Sequence, residues 1–184
     1  MMYEQLYRDV MRRTKRNLEI IEELHRRGLP GAEGPYELTQ LLNSFLGAVA
    51  LPRERDLGPK LATISIEEAE ERWRLPRIVD NYPDLPVHTH RRPKKPVNLD
   101  VLLELMRNGL MHGNIEPITG STGEITRISI ENRCGCHRCN GAPTWGTTLD
   151  ISELRQIFDA FVGVADHLYE VATRKQPDKL PSRT

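Results

Sequence analysis

Several features are scarce or absent in this sequence, and each absence excludes a class of protein. The chain of 184 residues contains no run of about 18 apolar residues, which is the length that a transmembrane helix needs. Its first residues lack the basic and then apolar pattern of a secretory signal, so a secreted protein is not expected. Only three cysteines are present, and an odd number confined to one short stretch does not make a disulfide framework. A cytoplasmic globular protein with no membrane partner is the expectation.

Net charge is absent as well, because 26 lysines and arginines balance 26 aspartates and glutamates. That balance argues against a protein that coats nucleic acid or binds membranes through a polybasic surface. It still allows local clusters: acids gather on the first helix and at 67–71, and bases gather at 88–95 and Arg107. We therefore expect a locally positive surface where a phosphate would enter. Aromatic residues make up only 5%, so the core should consist mostly of Leu, Ile, Val and Ala.

Apolar residues at three- and four-residue spacing predict four long or medium helices. The expected spans are 3–24, 35–52, 98–113 and 150–173. Pro52 should end the second helix, because a proline ring clashes with the preceding turn of an α-helix. Asn98 and Asp150 should cap the third and fourth helices.

The segment at about 53–97 has a different character, since seven of the 13 prolines lie from Pro52 to Pro96. No long helix is expected there, and much of the segment should be an extended or mobile excursion. One short helix is predicted from Ser65 to about Arg74. Ser65 would cap it, and Glu68 would complete a capping box.

A strand is predicted at 124–131, where Ile128 and Ile130 alternate with polar residues, and a partner strand near 144–148 would close a hairpin. The tip of this hairpin, at 133–141, carries the cysteines. The predicted fold class is therefore mainly α, a four-helix bundle with a small β-hairpin between the third and fourth long helices. We expect one domain at 1–175 and a polar tail at 176–184.

The most informative string is Arg107-Asn108-Gly109-Leu110-Met111-His112. Asn108 and His112 are four residues apart on a predicted helix, so they lie on nearly the same face. Arginine can hold a phosphate or a charged transition state, and a histidine at a helix C-terminus can move a proton. The plainer alternative is that Arg107 pairs with Glu104 or another acid and that His112 is only a favourable C-terminal cation.

Gly109 interrupts this string inside the predicted helix, where glycine costs about 1 kcal/mol relative to alanine. Such a cost suggests that another part of the structure approaches the helix closely at this point. Either a dimer interface or tight packing within the chain would explain it.

The R-N-x-x-x-H string late in a helix resembles the signature of HEPN-domain ribonucleases, and residues 38–47 resemble the second helix of a HEPN branch from bacterial chromosomal and plasmid genes. The resemblance implies a HEPN-like bundle in which Arg107, Asn108 and His112 are catalytic. It implies metal-independent RNA cleavage by the 2′-hydroxyl in the composite cleft of a homodimer, with no cofactor required. It also implies a toxin–antitoxin or anti-phage role, with a nucleotidyltransferase-like antitoxin as a partner. The alternative is a non-catalytic HEPN-like module that binds RNA, a nucleotide or a protein.

Two further clusters lie outside the resemblance. Cys134, Cys136 and Cys139, with His137 or a distant ligand such as His88 or His90, could hold a structural Zn²⁺. A disulfide to a second chain or a reduced hairpin tip without metal would also fit the spacing.

The basic run at 88–95 could bind RNA phosphates ahead of the motif helix, or could be a solvated loop. Its candidate RNA-binding residues are Arg91, Arg92, Lys94 and Lys95.

Overall fold

The computed structural model describes residues 2–28, 36–78, 95–121 and 123–174, which are mainly helical and include one small sheet. The helices are α1 (Met2–Arg26), α2 (Tyr36–Phe45), α3 (Gly58–Leu61), α4 (Ile66–Trp73), α5 (Leu99–Met111) and α6 (Ile151–Arg174). The strands are β1 (Ile115–Thr119), β2 (Ile125–Arg133) and β3 (Pro143–Asp150). The predicted helices at 3–24, 98–113 and 150–173 are confirmed by α1, α5 and α6. The predicted tail and residues 79–94 of the excursion lie outside the described residues.

The prediction that Pro52 ends the second helix is wrong. Helical structure continues from α2 through two π-helical segments, Leu46–Ala50 and Arg53–Leu57, into α3. Pro52 lies between them with αR backbone angles and is buried. The wider π turn shifts the carbonyl that a proline ring would meet in an α-helix, so the chain passes the proline without breaking. The start of the expected excursion at 53–61 is therefore helical.

Side-chain caps begin α4 and α5 where the sequence predicts them. The Glu68 N–H donates to Ser65 Oγ at 3.1 Å, and the Val101 N–H donates to Asn98 Oδ1 at 3.0 Å. The carboxylate of Glu68 accepts a hydrogen bond from Arg72 on the next turn. Each cap satisfies a backbone donor that the first turn of a helix leaves without a partner.

Replacing Ser65 by alanine should lower the free energy of unfolding by about 1 kcal/mol, because the Glu68 N–H loses its acceptor. Urea titration followed by circular dichroism measures this difference. Ser65→Asp is the matched control, since an aspartate at the cap position restores an acceptor. Equal losses in both variants would contradict a capping role for Ser65.

The sheet has three antiparallel strands in the order β1-β2-β3, so the predicted hairpin of two strands is incomplete. β2 and β3 form that hairpin, with Ile130 opposite Thr147. The additional strand β1 pairs with the other edge of β2, placing Ile115 opposite Ile130. Pro117 lies within β1, a position that proline tolerates on an edge strand. A proline and a weak alternation concealed this strand in the sequence.

The core is built mostly from aliphatic side chains, as the low aromatic content predicts. Its largest fully buried residues include Trp145, Phe45, Phe158, Phe161, Met11, Leu102 and Leu103. Ion pairs join α1 to α6 at the margin of this core: Asp166 accepts from Arg8 and Arg12, and Arg155 contacts Glu22. Among the helices that the structure describes, none combines the length and the apolar character needed to cross a membrane.

Candidate functional site

The motif residues lie on the last turn and a half of α5. Arg107 and Asn108 are helical, and His112 is the residue after the helix, where its N–H donates to the Asn108 carbonyl at 3.1 Å. Gly113 follows with a φ of 67°, a left-handed conformation that ends the helix. Arg107 and Asn108 are partly buried, whereas His112 is exposed beside the carbonyl end of the helix.

The guanidinium of Arg107 is held from two sides. Its Nη1 donates to Asn108 Oδ1 at 2.9 Å, and its Nη2 lies 2.6 Å from Glu54 Oε1. The Arg107 side chain is 27% exposed, so part of it remains accessible to solvent. The predicted pairing of Arg107 with an acid is thus realised with Glu54, which lies in the second π-helical segment.

Glu54 belongs to a short row of ion pairs between the second π-helical segment and α5. Arg53 Nε lies 2.7 Å from Asp100 Oδ1, and Arg53 Nη2 lies 3.3 Å from Glu104 Oε2. Asp100, Glu104 and Arg107 recur at the spacing of one helix face, so these pairs dock the π-helical segment along α5. The row contains three acids and two arginines.

The expected local excess of positive charge is therefore not present in this row. Lys95 is exposed, and Arg91, Arg92 and Lys94 lie outside the described residues. His88 and His90 lie outside them as well. The RNA-binding prediction for the basic run stays a prediction.

Gly109 allows α5 to lie directly against β2. A Cβ atom added at Gly109 would lie 2.5 Å from Ile130 Cγ2 and 2.9 Å from the Glu131 carbonyl oxygen. Both distances are shorter than van der Waals contact, and one involves backbone that cannot rotate away. Packing within the chain accounts for this glycine, so it no longer indicates a dimer interface.

The three cysteines come together in the loop between β2 and β3. Cys136 Sγ lies 3.3 Å from Cys134 Sγ and 2.6 Å from Cys139 Sγ, and all three sulfurs lie within 4.8 Å of one another. Cys134 and Cys139 are buried, Cys136 is partly buried, and none of the three forms a disulfide. His137 is exposed on the 3₁₀ turn His137–Cys139 and is not part of this group of ligand atoms.

The close approach of the three sulfurs changes the pKa of the Cys139 thiol. The hydrogen bond with Cys136, burial, and the proximity of Cys134 raise the pKa of Cys139 to about 12. Negative charge on more than one of these neighbouring thiols is unfavourable unless a cation neutralises it.

Sequence reasoning did not identify Glu54 as part of the site. Glu54 precedes Arg107 by 53 positions and lies in a segment that was expected to be irregular after Pro52. The only signal in the sequence was the pair of opposite charges Arg53-Glu54, which complements the charges of Asp100, Glu104 and Arg107. This complementarity indicates a contact only when 53–57 is known to be helical.

A sequence profile of the family described as HEPN pEK499 p136 matches residues 1–171. The match covers α1 to most of α6 and includes both Arg107 and His112. No curated protein and no solved structure matches the chain significantly.

Proposed function

Because the family profile spans nearly the whole sequence, the chain belongs to the HEPN pEK499 p136 family, and we propose that it is a metal-independent endoribonuclease. The observation that carries the proposal is the arrangement at the end of α5. Asn108 orients the guanidinium of Arg107, and His112 is exposed at the same helix end. A permanent cation can stabilise charge on the phosphate and a titratable imidazole can transfer a proton, and phosphodiester cleavage can use both functions.

The fold part of the proposal is that α1, α2, α5 and α6 form the HEPN four-helix bundle. α1 packs against both α2 and α6, α2 also contacts α6, and α5 contacts the π-helical continuation of α2. The three-stranded sheet is then an insertion between the third and fourth helices of that bundle.

In the proposed reaction the 2′-hydroxyl oxygen of RNA attacks the adjacent phosphorus. One His112 imidazole accepts the 2′-hydroxyl proton, the 2′-O–P bond forms, and the P–O5′ bond breaks. A second imidazole, in its protonated form, gives a proton to the departing 5′-oxygen. Arg107 stabilises the negative charge that accumulates on the phosphate oxygens. The products are a 2′,3′-cyclic phosphate and a 5′-hydroxyl end.

A second copy of the chain completes this chemistry. The reaction needs one base and one acid, and one chain supplies one His112. Two copies related by a two-fold axis would place two sets of Arg107, Asn108 and His112 in one cleft.

We also propose a biological setting, which is a toxin–antitoxin or anti-phage system in the cytoplasm. An endoribonuclease of this kind must be held inactive until it is needed. A nucleotidyltransferase-like antitoxin is the proposed partner. It would inactivate the motif at 107–112 or block access of RNA to it.

The direct test is incubation of the purified chain with RNA in the presence of a chelator. We expect cleavage that the chelator does not reduce, and fragments whose 3′ ends resist polyadenylation until a phosphatase active on cyclic phosphates has opened and removed them. Cleavage that requires added Mg²⁺ or Mn²⁺, or fragments with 3′-hydroxyl ends, would contradict the proposal.

One observation favours a second candidate function, a HEPN module that binds RNA without cutting it. Glu54 already pairs with Arg107, so less of the guanidinium charge is available to stabilise a transition state. This candidate predicts RNA binding by wild type with no cleavage under any condition, and loss of binding in Arg107→Ala.

Glu54 is proposed as a positioning residue that competes with RNA phosphate for Arg107. Glu54→Gln should lower the KM for RNA about two- to fivefold, because a partly exposed ion pair is worth up to about 1 kcal/mol. Glu54→Ala should lower kcat as well, since the guanidinium loses one of its two supports. Steady-state cleavage of a fluorogenic oligonucleotide separates these two constants.

The matched control is Glu131→Gln, which removes a carboxylate from the Glu131–Arg133 ion pair on the sheet. It should leave both constants unchanged. A lower kcat with an unchanged KM in Glu54→Gln would contradict competition between Glu54 and phosphate.

A further inference from the structure

The loop at 134–142 is ordered without an apolar core of its own. It joins β2 to β3 and contains three cysteines, two glycines and four other residues. Its only buried side chains are those of Cys134 and Cys139. A loop of this length must offset the conformational entropy of its residues, and sulfur contacts alone supply little hydrophobic free energy.

The backbone of the loop closes around the sulfurs. The Cys139 N–H donates to the Cys136 carbonyl at 3.1 Å, and the Ala142 N–H donates to the Cys139 carbonyl at 2.9 Å. Asn140 and Gly141 have φ angles of 44° and 69°, so the chain reverses directly after Cys139. The Cys134 N–H then donates to the Ala142 carbonyl at 2.9 Å. These bonds direct three side chains to one point.

We propose that Cys134, Cys136 and Cys139 bind one Zn²⁺ as thiolates. The Cys136 and Cys139 pair has the two-residue spacing of a zinc knuckle, and Cys134 adds a third sulfur from the end of β2. In a tetrahedral site with Zn–S bonds of about 2.3 Å, the sulfurs lie about 3.8 Å apart. The observed separations of 2.6 Å and 3.3 Å are shorter than that value, and rotations of the three side chains can open the cluster to it.

Soft sulfur ligands and tetrahedral geometry select zinc over magnesium or calcium, which prefer oxygen. The chain has an odd number of cysteines, so any disulfide within the chain would leave one thiol over. Cys136 is only partly buried, so solvent reaches one side of the cluster.

The site would stabilise the strand that supports α5. Glu131 lies three residues before Cys134, and its N–H donates to the Asn114 carbonyl at 2.9 Å, just beyond His112. Zinc would fix the end of β2 and would therefore stabilise this connection. The ion has no part in the proposed cleavage, so metal-independent catalysis and a structural zinc are compatible.

The test uses the full chain, purified under reducing conditions without chelator. We expect one zinc per chain by mass spectrometry of the metal content. Replacement by Co²⁺ should give a thiolate-to-cobalt charge-transfer band and intense d–d absorption, which indicates tetrahedral coordination. Because the chain has three cysteines and all lie in this loop, such a band can only come from this cluster.

Cys136→Ser and Cys139→Ser should lose the zinc and the cobalt band, and the wild type should have the higher melting temperature. His112→Ala is the matched control, since it lies outside the loop and should retain both signals. Circular dichroism of Cys136→Ser checks folding, because this partly buried side chain is the mildest of the three to replace. Zinc content in wild type no higher than in Cys136→Ser, or a Cys136–Cys139 disulfide in the reduced preparation, would overturn the proposal.

Discussion

Arg107→Ala and His112→Ala should each abolish measurable RNA cleavage. Loss of a general acid or base lowers the rate about 10²–10⁴-fold, and loss of one group that stabilises the transition-state charge lowers it about 10²–10³-fold. Both side chains have at least partial access to solvent, so neither substitution leaves a cavity in the core. Gel analysis of a labelled RNA, with chelator present throughout, measures the loss.

The controls are substitutions of the same chemical type on α1. Arg13→Ala removes an exposed guanidinium that pairs with Asp9, and His25→Ala removes an exposed imidazole. Both variants should cleave RNA as wild type does. Equal cleavage by wild type, Arg107→Ala and His112→Ala would exclude this site as the active centre.

Mixing wild type with the inactive His112→Ala variant tests the composite cleft. A mixed dimer has one intact histidine, whereas the proposed reaction needs two. If both chains contribute to one cleft, an excess of His112→Ala should lower the cleavage by a fixed amount of wild type after subunit exchange, and the same excess of Arg13→Ala should not. Wild-type cleavage that an excess of His112→Ala leaves unchanged would contradict the shared cleft and leave the single-chain effects unchanged.

Gly109→Ala should destabilise the protein although alanine is the better helix former. The added Cβ would lie 2.5 Å from Ile130 Cγ2 and 2.9 Å from the Glu131 carbonyl oxygen, so α5 or β2 must move. Overpacking of this kind costs about 1–3 kcal/mol, more than the roughly 1 kcal/mol that helix propensity returns. Gly109→Val should cost more, and urea unfolding measures both.

Gly47→Ala is the matched control, because a Cβ at Gly47 would meet no atom within 4 Å. It should leave the free energy of unfolding unchanged or raise it by up to about 1 kcal/mol. The destabilisation by Gly109→Ala should not depend on protein concentration, since the contact lies within one chain. A variant as stable as wild type would contradict the packing of α5 on β2.

The sequence predicted those parts of the fold that depend on local patterns. Periodic apolar residues located α1, α5 and α6, and cap chemistry located the starts of α4 and α5 at Ser65 and Asn98. Alternation located β2, and the expected hairpin partner located β3. The position of Arg107, Asn108 and His112 at the end of α5 also followed from the sequence. These features depend on residues close together in the chain.

Features that depend on distant contacts were not predictable in the same way. The helical path past Pro52 is stabilised by the pairing of Arg53 with Asp100, 47 positions later. β1 forms an edge strand because β2 offers a free edge, not because 115–119 alternates well. Glu54 reaches Arg107 only through this tertiary arrangement. In each case the deciding interaction joins segments that no local pattern connects.

The seating of α5 on β2 also restricts how the helix can move. With Gly109 against the Glu131 backbone, rotation about the helix axis would drive the side chain of Asn108 or Leu110 into the strand. Sliding along the axis would meet the same obstacle. The packing therefore fixes the orientation of Arg107 around the helix axis before any ligand binds. It also fixes the direction in which the helix ends at His112. A site held in this way spends little free energy on reorganisation when a phosphate binds.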